Sequence, residues 1–210
     1  AGLAQSTGRF VLFLDDDDWL EDGFVSGVLT EFDNETQVII AKANLVNNGR
    51  PGFDSLNRYY NFLREKYHKL SVNDFGYFLI YCPAIHCLIW KRSCFDQIHF
   101  NESIRYGEDR EILLRMKAAG ITMRSLDHLG GNYRISAGRN AKDTSFIDVI
   151  LNDQLVTTPG ERAYLYWLKG YLLFSDGKYL KGISEMIRSF YVPKIFMQQL
   201  VLFFRFRLIR

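Results

Sequence analysis

The chain sets apolar runs of strand length against stretches in which apolar residues recur at helical spacing. Arg9-Phe-Val-Leu-Phe-Leu14 is almost unbroken apolar sequence between Gly8 and the acidic run Asp15-Asp16-Asp17-Asp18, and it predicts a buried strand. Leu20, Phe24, Val28 and Phe32 predict a short amphipathic helix starting near Trp19, with Asp18 as N-cap and Glu21 at the third helical position. The β-branched run 37–43 predicts a strand, and 47–52 a loop by its Asn, Gly and Pro content. Residues 55–70 predict a helix with Leu56, Tyr59, Tyr60, Leu63 and Tyr67 on one face. The runs 76–81 and 85–90 read as apolar strands on either side of Cys82-Pro83, where Pro83 argues against a central ladder position. A helix over 108–119 stops at Gly120, short strands follow at 123–127 and 132–135, and 136–143 is a polar loop.

From Gly160 the texture changes. Helices over 161–174 and 179–190 are joined by Ser175-Asp-Gly-Lys178, and Ala163, Trp167, Gly170, Tyr171, Gly177, Tyr179 and Gly182 are spaced much like one tetratricopeptide-type hairpin. A single such unit cannot bury its own face, so it packs on the rest of the chain or on a partner. After Pro193, residues 195–210 predict a third helix in which apolar residues mix with arginines. Two readings stay open for it: an interfacial helix on anionic lipid, or a helix that covers the core.

Composition narrows the class. With 210 residues, 48% hydrophobic and 24% charged, the chain is long and apolar enough for one globular domain with a proper core plus an appendage. Aromatics at 15% fit a large core, sugar-stacking surfaces or a membrane-facing surface. A net charge of +2 gives no ground for general nucleic-acid binding, although the last six residues carry Arg205, Arg207 and Arg210 without an acid. Cys82, Cys87 and Cys94 are odd in number and form no Cys-x-x-Cys pair, which favours reduced, cytosolic thiols over a disulfide framework or zinc site. His86 beside Cys87 suggests a metal site, but a buried apolar strand over 85–90 is the favoured reading. No signal peptide and no membrane-spanning run is present. The first residue is Ala, and the chain opens in a helix-to-strand transition, which reads as a fragment lacking upstream strands.

The acidic run carries the first candidate chemistry. Four adjacent carboxylates repel one another, and a hard divalent cation such as Mg2+ or Mn2+ relieves that repulsion through oxygen ligands. Gly2-Leu-Ala-x-x-x-Gly8-Arg-Phe-Val-Leu-Phe-Leu-Asp-Asp-Asp-Asp-Trp19 resembles the centre of a family 2 glycosyltransferase of the GT-A fold. The resemblance implies an α/β fold, Rossmann-like with a mixed sheet flanked by helices, here N-terminally truncated and followed by a C-terminal helical hairpin and a terminal amphipathic helix. It places Asp15-Asp16-Asp17 on the Asp-x-Asp motif. Asp15 would then face the donor ribose, Asp17 would coordinate the metal with Asp15, and Asp16 and Asp18 would support donor binding.

Tyr106-Gly-Glu-Asp-Arg-Glu111 carries the second. By spacing alone, Glu108, Asp109 and Glu111 read as an N-terminal capping group. Together with Phe100-Asn-Glu102 and Arg115, however, the block resembles the acceptor side of the same family, which implies a catalytic base at Asp109, with Glu108 as second candidate. About ninety residues separate the two acidic blocks, as suits two walls of one cleft. Family members often carry Tyr-Arg-x-His after this helix. Tyr133-Arg134-Ile135-Ser136 lacks the His; Arg134 and Arg139 are then candidate diphosphate contacts, with a surface carboxylate as the alternative partner of Arg134.

The resemblance implies inverting transfer from a nucleotide-sugar donor, a UDP-sugar first among them, to a glycan or lipid-linked acceptor. Bacterial cell-surface polysaccharide synthesis is the expected setting, in the cytoplasm or peripherally on the inner membrane face through 195–210. Residues 1–145 would form the catalytic domain and 146–210 a helical region. An inactive fragment serving as a helical interaction or membrane-docking module is the alternative. A metal-dependent phosphohydrolase is disfavoured, since no further phosphate motif follows the Asp run.

Overall fold

Val38-Ile-Ile-Ala41 is apolar at both parities, so a strand built from it needs cover on both faces. The fold provides that cover. The structure, a computed structural model, describes residues 2–49, 53–67, 72, 74, 77–136 and 143–207, with 203–207 described through their backbone alone. Strands β1 (Phe10–Val11), β2 (Trp19–Leu20), β3 (Val38–Asn48), β4 (Leu88–Lys91) and β5 (Met123–Ser136) form one sheet in the order β1-β4-β3-β5-β2. β3 and β5 run parallel, β4 is antiparallel to β1 and β3, and β2 is antiparallel to β5. The helices are α1 (Gly2–Gln5), α2 (Phe24–Leu29), α3 (Phe53–Tyr67), α4 (Glu108–Ala118), α5 (Ser145–Asn152), α6 (Pro159–Ser175), α7 (Tyr179–Arg188) and α8 (Pro193–Arg207). This mixed α/β sheet flanked by helices is the GT-A architecture that the resemblance implied.

Alternate residues of the central strands feed two cores. Val38, Ile40, Leu88 and Trp90 face the larger one, with Leu63 of α3, Ile112 and Met116 of α4, Ile147 of α5 and Leu165 of α6. Ile39, Ala41, Cys87 and Ile89 face the smaller one, closed by Phe24 and Val28 of α2. The helix hairpin closes tightly: a Cβ on Gly182 would lie 2.7 Å from the Gly170 carbonyl oxygen, so α6 and α7 meet backbone to backbone. Among the described residues, no helix is long and apolar enough to cross a membrane.

Several elements differ from the sequence expectation. The strand expected over 9–14 forms ladder bonds only at Phe10–Val11. Its alternation nevertheless persists: Phe10 and Leu12 pack on the smaller core, Val11 and Phe13 on the larger. No helix starts near Trp19. Trp19–Leu20 pairs with Gly131 and Asn132 of β5, and α2 begins at Phe24 after Gly23, because the carboxylate expected as a cap is held by β5 instead. The apolar run expected as a strand over 76–81 is a π-helical turn, Tyr77–Tyr81, closed by the Cys82 N–H donating to the Tyr77 carbonyl at 3.0 Å. A short apolar run cannot tell a strand from a buried helical turn. A 3₁₀ turn, Ile85–Cys87, precedes β4 where one strand was expected. The two strands expected at 123–127 and 132–135 are a single strand, β5, bulged where Lys42 meets Leu129 and Ala43 meets Gly131. Asn47 and Asn48, expected in a loop, end β3. Residues 50–52, 68–71, 76, 137–142 and 208–210 of the expected loops, strand and helices lie outside the described residues, Arg139 among them. α5 was not anticipated, although Phe146, Ile147, Ile150 and Leu151 are buried at helical spacing.

Candidate active site

The acidic run is a tight turn carried by the sheet. The Asp18 N–H donates to the Asp15 carbonyl at 3.2 Å, which folds the four residues back on themselves. The β2–β5 pairing fixes the turn from its far end, reinforced by Asn132 Nδ2 donating to Glu21 Oε1 at 2.6 Å. Asp18 Oδ1 accepts the Arg134 backbone N–H at 2.8 Å, and its Oδ2 lies 3.1 Å from His86 Nδ1. Both of these side chains are 1% exposed.

One carboxylate oxygen each from Asp15, Asp17 and Asp18 fall within 4.8 Å of one another. Asp16 is exposed and outside this group. Burial raises the Asp18 pKa, assisted by the charges of Asp17 and Asp15 and opposed by the Arg134 amide and His86. Burial likewise lowers that of His86. Three converging hard oxygens that penalise one another's charge fit Mg2+ or Mn2+. The Arg134 guanidinium lies 5.2 Å from the Trp19 ring, beside the same turn.

The second acidic block opens α4. Gly107, at φ 77°, is the N-cap residue and has no side chain to cap with; of the expected capping group, Asp109 accepts a first-turn amide and Glu111 turns to Arg115 instead. Each of the three carboxylates has separate surroundings. Glu111 is fully buried and accepts from Arg115 Nε at 3.0 Å, while Arg115 Nη1 donates to the His99 carbonyl at 2.7 Å. Asp109 Oδ1 accepts the Arg110 N–H at 2.7 Å, and its charge, after burial, is what pushes the Cys82 thiol further up. Cys82 itself has φ 41°, a left-handed backbone at the end of the π-helical turn. That turn is tied to α4 by Arg110 Nε, which donates to the Phe78 carbonyl at 3.2 Å.

Glu108 is half-buried, and its pKa is raised, chiefly by burial and then by the charges of Asp109 and Asp15. Asp15 is near enough to Glu108 for its charge to act there. The fold groups Asp15, Asp17 and Asp18, sets the Arg134 amide on Asp18 and leaves Asp16 outside the carboxylate group, while Glu108 and Asp109 open α4. His86, read from sequence as part of a buried strand, sits instead in a 3₁₀ turn against Asp18, a partner that sequence reading missed. A histidine inside an apolar run was its only signal, and the partner that gives it meaning lies far away in the chain.

Residues 1–98 match the family model described as Glycosyl transferase family 2. Over that stretch the chain is similar to family 2 glycosyltransferases. No curated protein matches the chain. The family 2 match takes in the acidic turn, His86, the π-helical turn and strands β1 to β4. Glu108 and Asp109 fall beyond it. A glycosyltransferase of this family uses a nucleotide-sugar donor and an acceptor, and its carboxylate turn is compatible with an Asp-x-Asp motif.

Proposed function

We propose that the protein transfers a sugar, with inversion, from a UDP-sugar to a glycan or lipid-linked acceptor in bacterial cell-surface polysaccharide synthesis. What supports this reading is the carboxylate turn, where one oxygen each from Asp15, Asp17 and Asp18 fall within 4.8 Å of one another inside the stretch that matches the family 2 model. Asp15 would face the donor ribose and, with Asp17, would hold Mn2+ or Mg2+. Asp18, braced by Arg134 and His86, fixes the turn, and Asp16 supports the donor from outside the carboxylate group. The ion supplies charge neutralisation of the leaving diphosphate. Arg134 contributes a cationic group beside the turn, suited to phosphate.

Asp109 takes the proton of the acceptor hydroxyl, and that oxygen attacks the anomeric carbon from the face opposite the diphosphate. The bond to the diphosphate oxygen breaks with its electron pair, so one displacement inverts the centre. General-base help of this kind is worth ~10²–10⁴-fold. Glu108 is the second candidate for the base. Residues 1–145 act as the catalytic unit and 146–210 as a helical region, at work in the cytoplasm or on the inner membrane face. A second reading, an inactive docking module, is favoured only by the exposed apolar side of α7.

Thermal unfolding with and without UDP, in Mn2+ and in EDTA, tests the reading. A nucleotide at about a hundred times its Kd stabilises by roughly 2.7 kcal/mol. The expected result is a Mn2+-dependent shift with UDP that Asp17→Asn removes, and an Asp109→Asn variant that keeps the shift and loses transfer. A shift untouched by Asp17→Asn removes the turn from the donor site. No shift with any nucleoside diphosphate supports the docking module.

A further inference from the structure

α7 shows solvent an apolar side that the fold leaves uncovered. Leu180, Ile183 and Ile187 recur on successive turns and are 86%, 45% and 65% exposed. The opposite side is fastened: Gly182 abuts Gly170, and Glu185 is paired with Lys169 at 3.6 Å and Arg188 at 3.1 Å. The exposed Phe190 carries the surface on to α8, since its ring meets Phe196 at 5.0 Å. α8 is itself anchored through Ile195 on the larger core and Phe196 against Trp167 at 5.2 Å, while Met197 and Val201 point outward.

Charge tells what covers this surface. Residues 178–210 hold seven Lys or Arg and one acid, Glu185, which is already paired. Residues 1–177 hold 19 basic residues against 23 acidic ones. Lys181 and Lys194 flank the apolar residues and are exposed, while Arg188 is taken up by Glu185 and the Tyr166 ring. Two copies meeting on this surface would oppose like charge, so a second copy is a poor occupant. An anionic occupant is complementary, and a bilayer takes up apolar side chains without matching pockets.

We propose that the α7–α8 surface docks the protein on an anionic lipid bilayer, with Leu180, Ile183 and Ile187 entering the headgroup boundary and the flanking cations on the lipid charges. The contact is centred on α7, not on 195–210 alone. The proposal does not rest on the transfer reading, and its test reads no turnover.

The experiment is sedimentation of the 210-residue chain with phosphatidylcholine vesicles, with and without phosphatidylglycerol, comparing wild type with Ile187→Asp, Val201→Asp and Lys181→Glu. Binding to the anionic vesicles alone is expected, weakened about tenfold or more by each substitution and by added salt. The three side chains are exposed, so the melting temperature stays near wild type, and two helices are sampled in case one variant misfolds. Equal binding to both vesicle types, no binding, or binding indifferent to all three substitutions overturns the proposal. A dimer seen by light scattering that Ile187→Asp dissolves overturns it in favour of a second copy. Failure to bind lipid while an acidic protein binds the same face overturns it in favour of a protein partner.

Discussion

Glu108 is held in a state that costs the fold stability. Burial and the charges of Asp109 and Asp15 raise its pKa in the folded chain. Between the unfolded value, about 4.3, and the raised folded value, the folded state binds more protons than the unfolded one. Stability therefore falls as pH rises through that window, and the loss persists above it. Glu108→Gln removes the loss. The variant should unfold at higher urea than wild type at pH 7 and should match it below the unfolded carboxyl value; a variant less stable at pH 7 sinks the argument. The carboxylates of both blocks were readable from sequence because their chemistry is declared by residue type and by spacing within a few positions. His86 was not, since its meaning depends on Asp18, which only the closed sheet brings to it.

At the level of elements, α4 starts where it does because of one glycine. Gly107 has a left-handed backbone, and a Cβ there would stand 2.6 Å from the Phe146 ring of α5. Gly107→Ala should lose roughly 1–2 kcal/mol to the backbone and about 1–3 kcal/mol to overpacking. Urea unfolding reads the sum, and adding Phe146→Leu should recover only the packing part. Because Glu108 and Asp109 follow directly, transfer should fall more than stability accounts for. Long periodic helices such as α3, α4 and α6 were readable from apolar spacing, as were the runs that became β3 and β4. The π-helical turn was not, since Tyr77–Tyr81 is buried at every position and so has no period. The β2 segment was missed for a different reason: Trp19–Leu20 has helical surroundings in sequence but takes its hydrogen bonds from β5.

For the molecule as a whole, the helical region is fastened by glycine contact and shared core. A Cβ at Gly182 would meet the Gly170 carbonyl oxygen and the Phe174 amide nitrogen at 2.7 Å, both of them backbone atoms that cannot rotate aside. Gly182→Ala should pry α7 from α6. Limited proteolysis should then cut within 178–207 well before the sheet, whereas cleavage at the wild-type rate would show that the hairpin is held by other contacts.

The bond between Asp18 and the Arg134 amide spans 116 residues. At a synthesis rate of ~5–20 residues/s, roughly 6–23 s separate the appearance of the two on a ribosome. Throughout that interval the acidic turn already exists as sequence but lacks the strand that braces it. The nascent chain therefore presents an unbraced cluster of acids and competes for cations before it has any means of using a sugar nucleotide. Donor-binding competence should arise in one late step, when β5 closes beside β3.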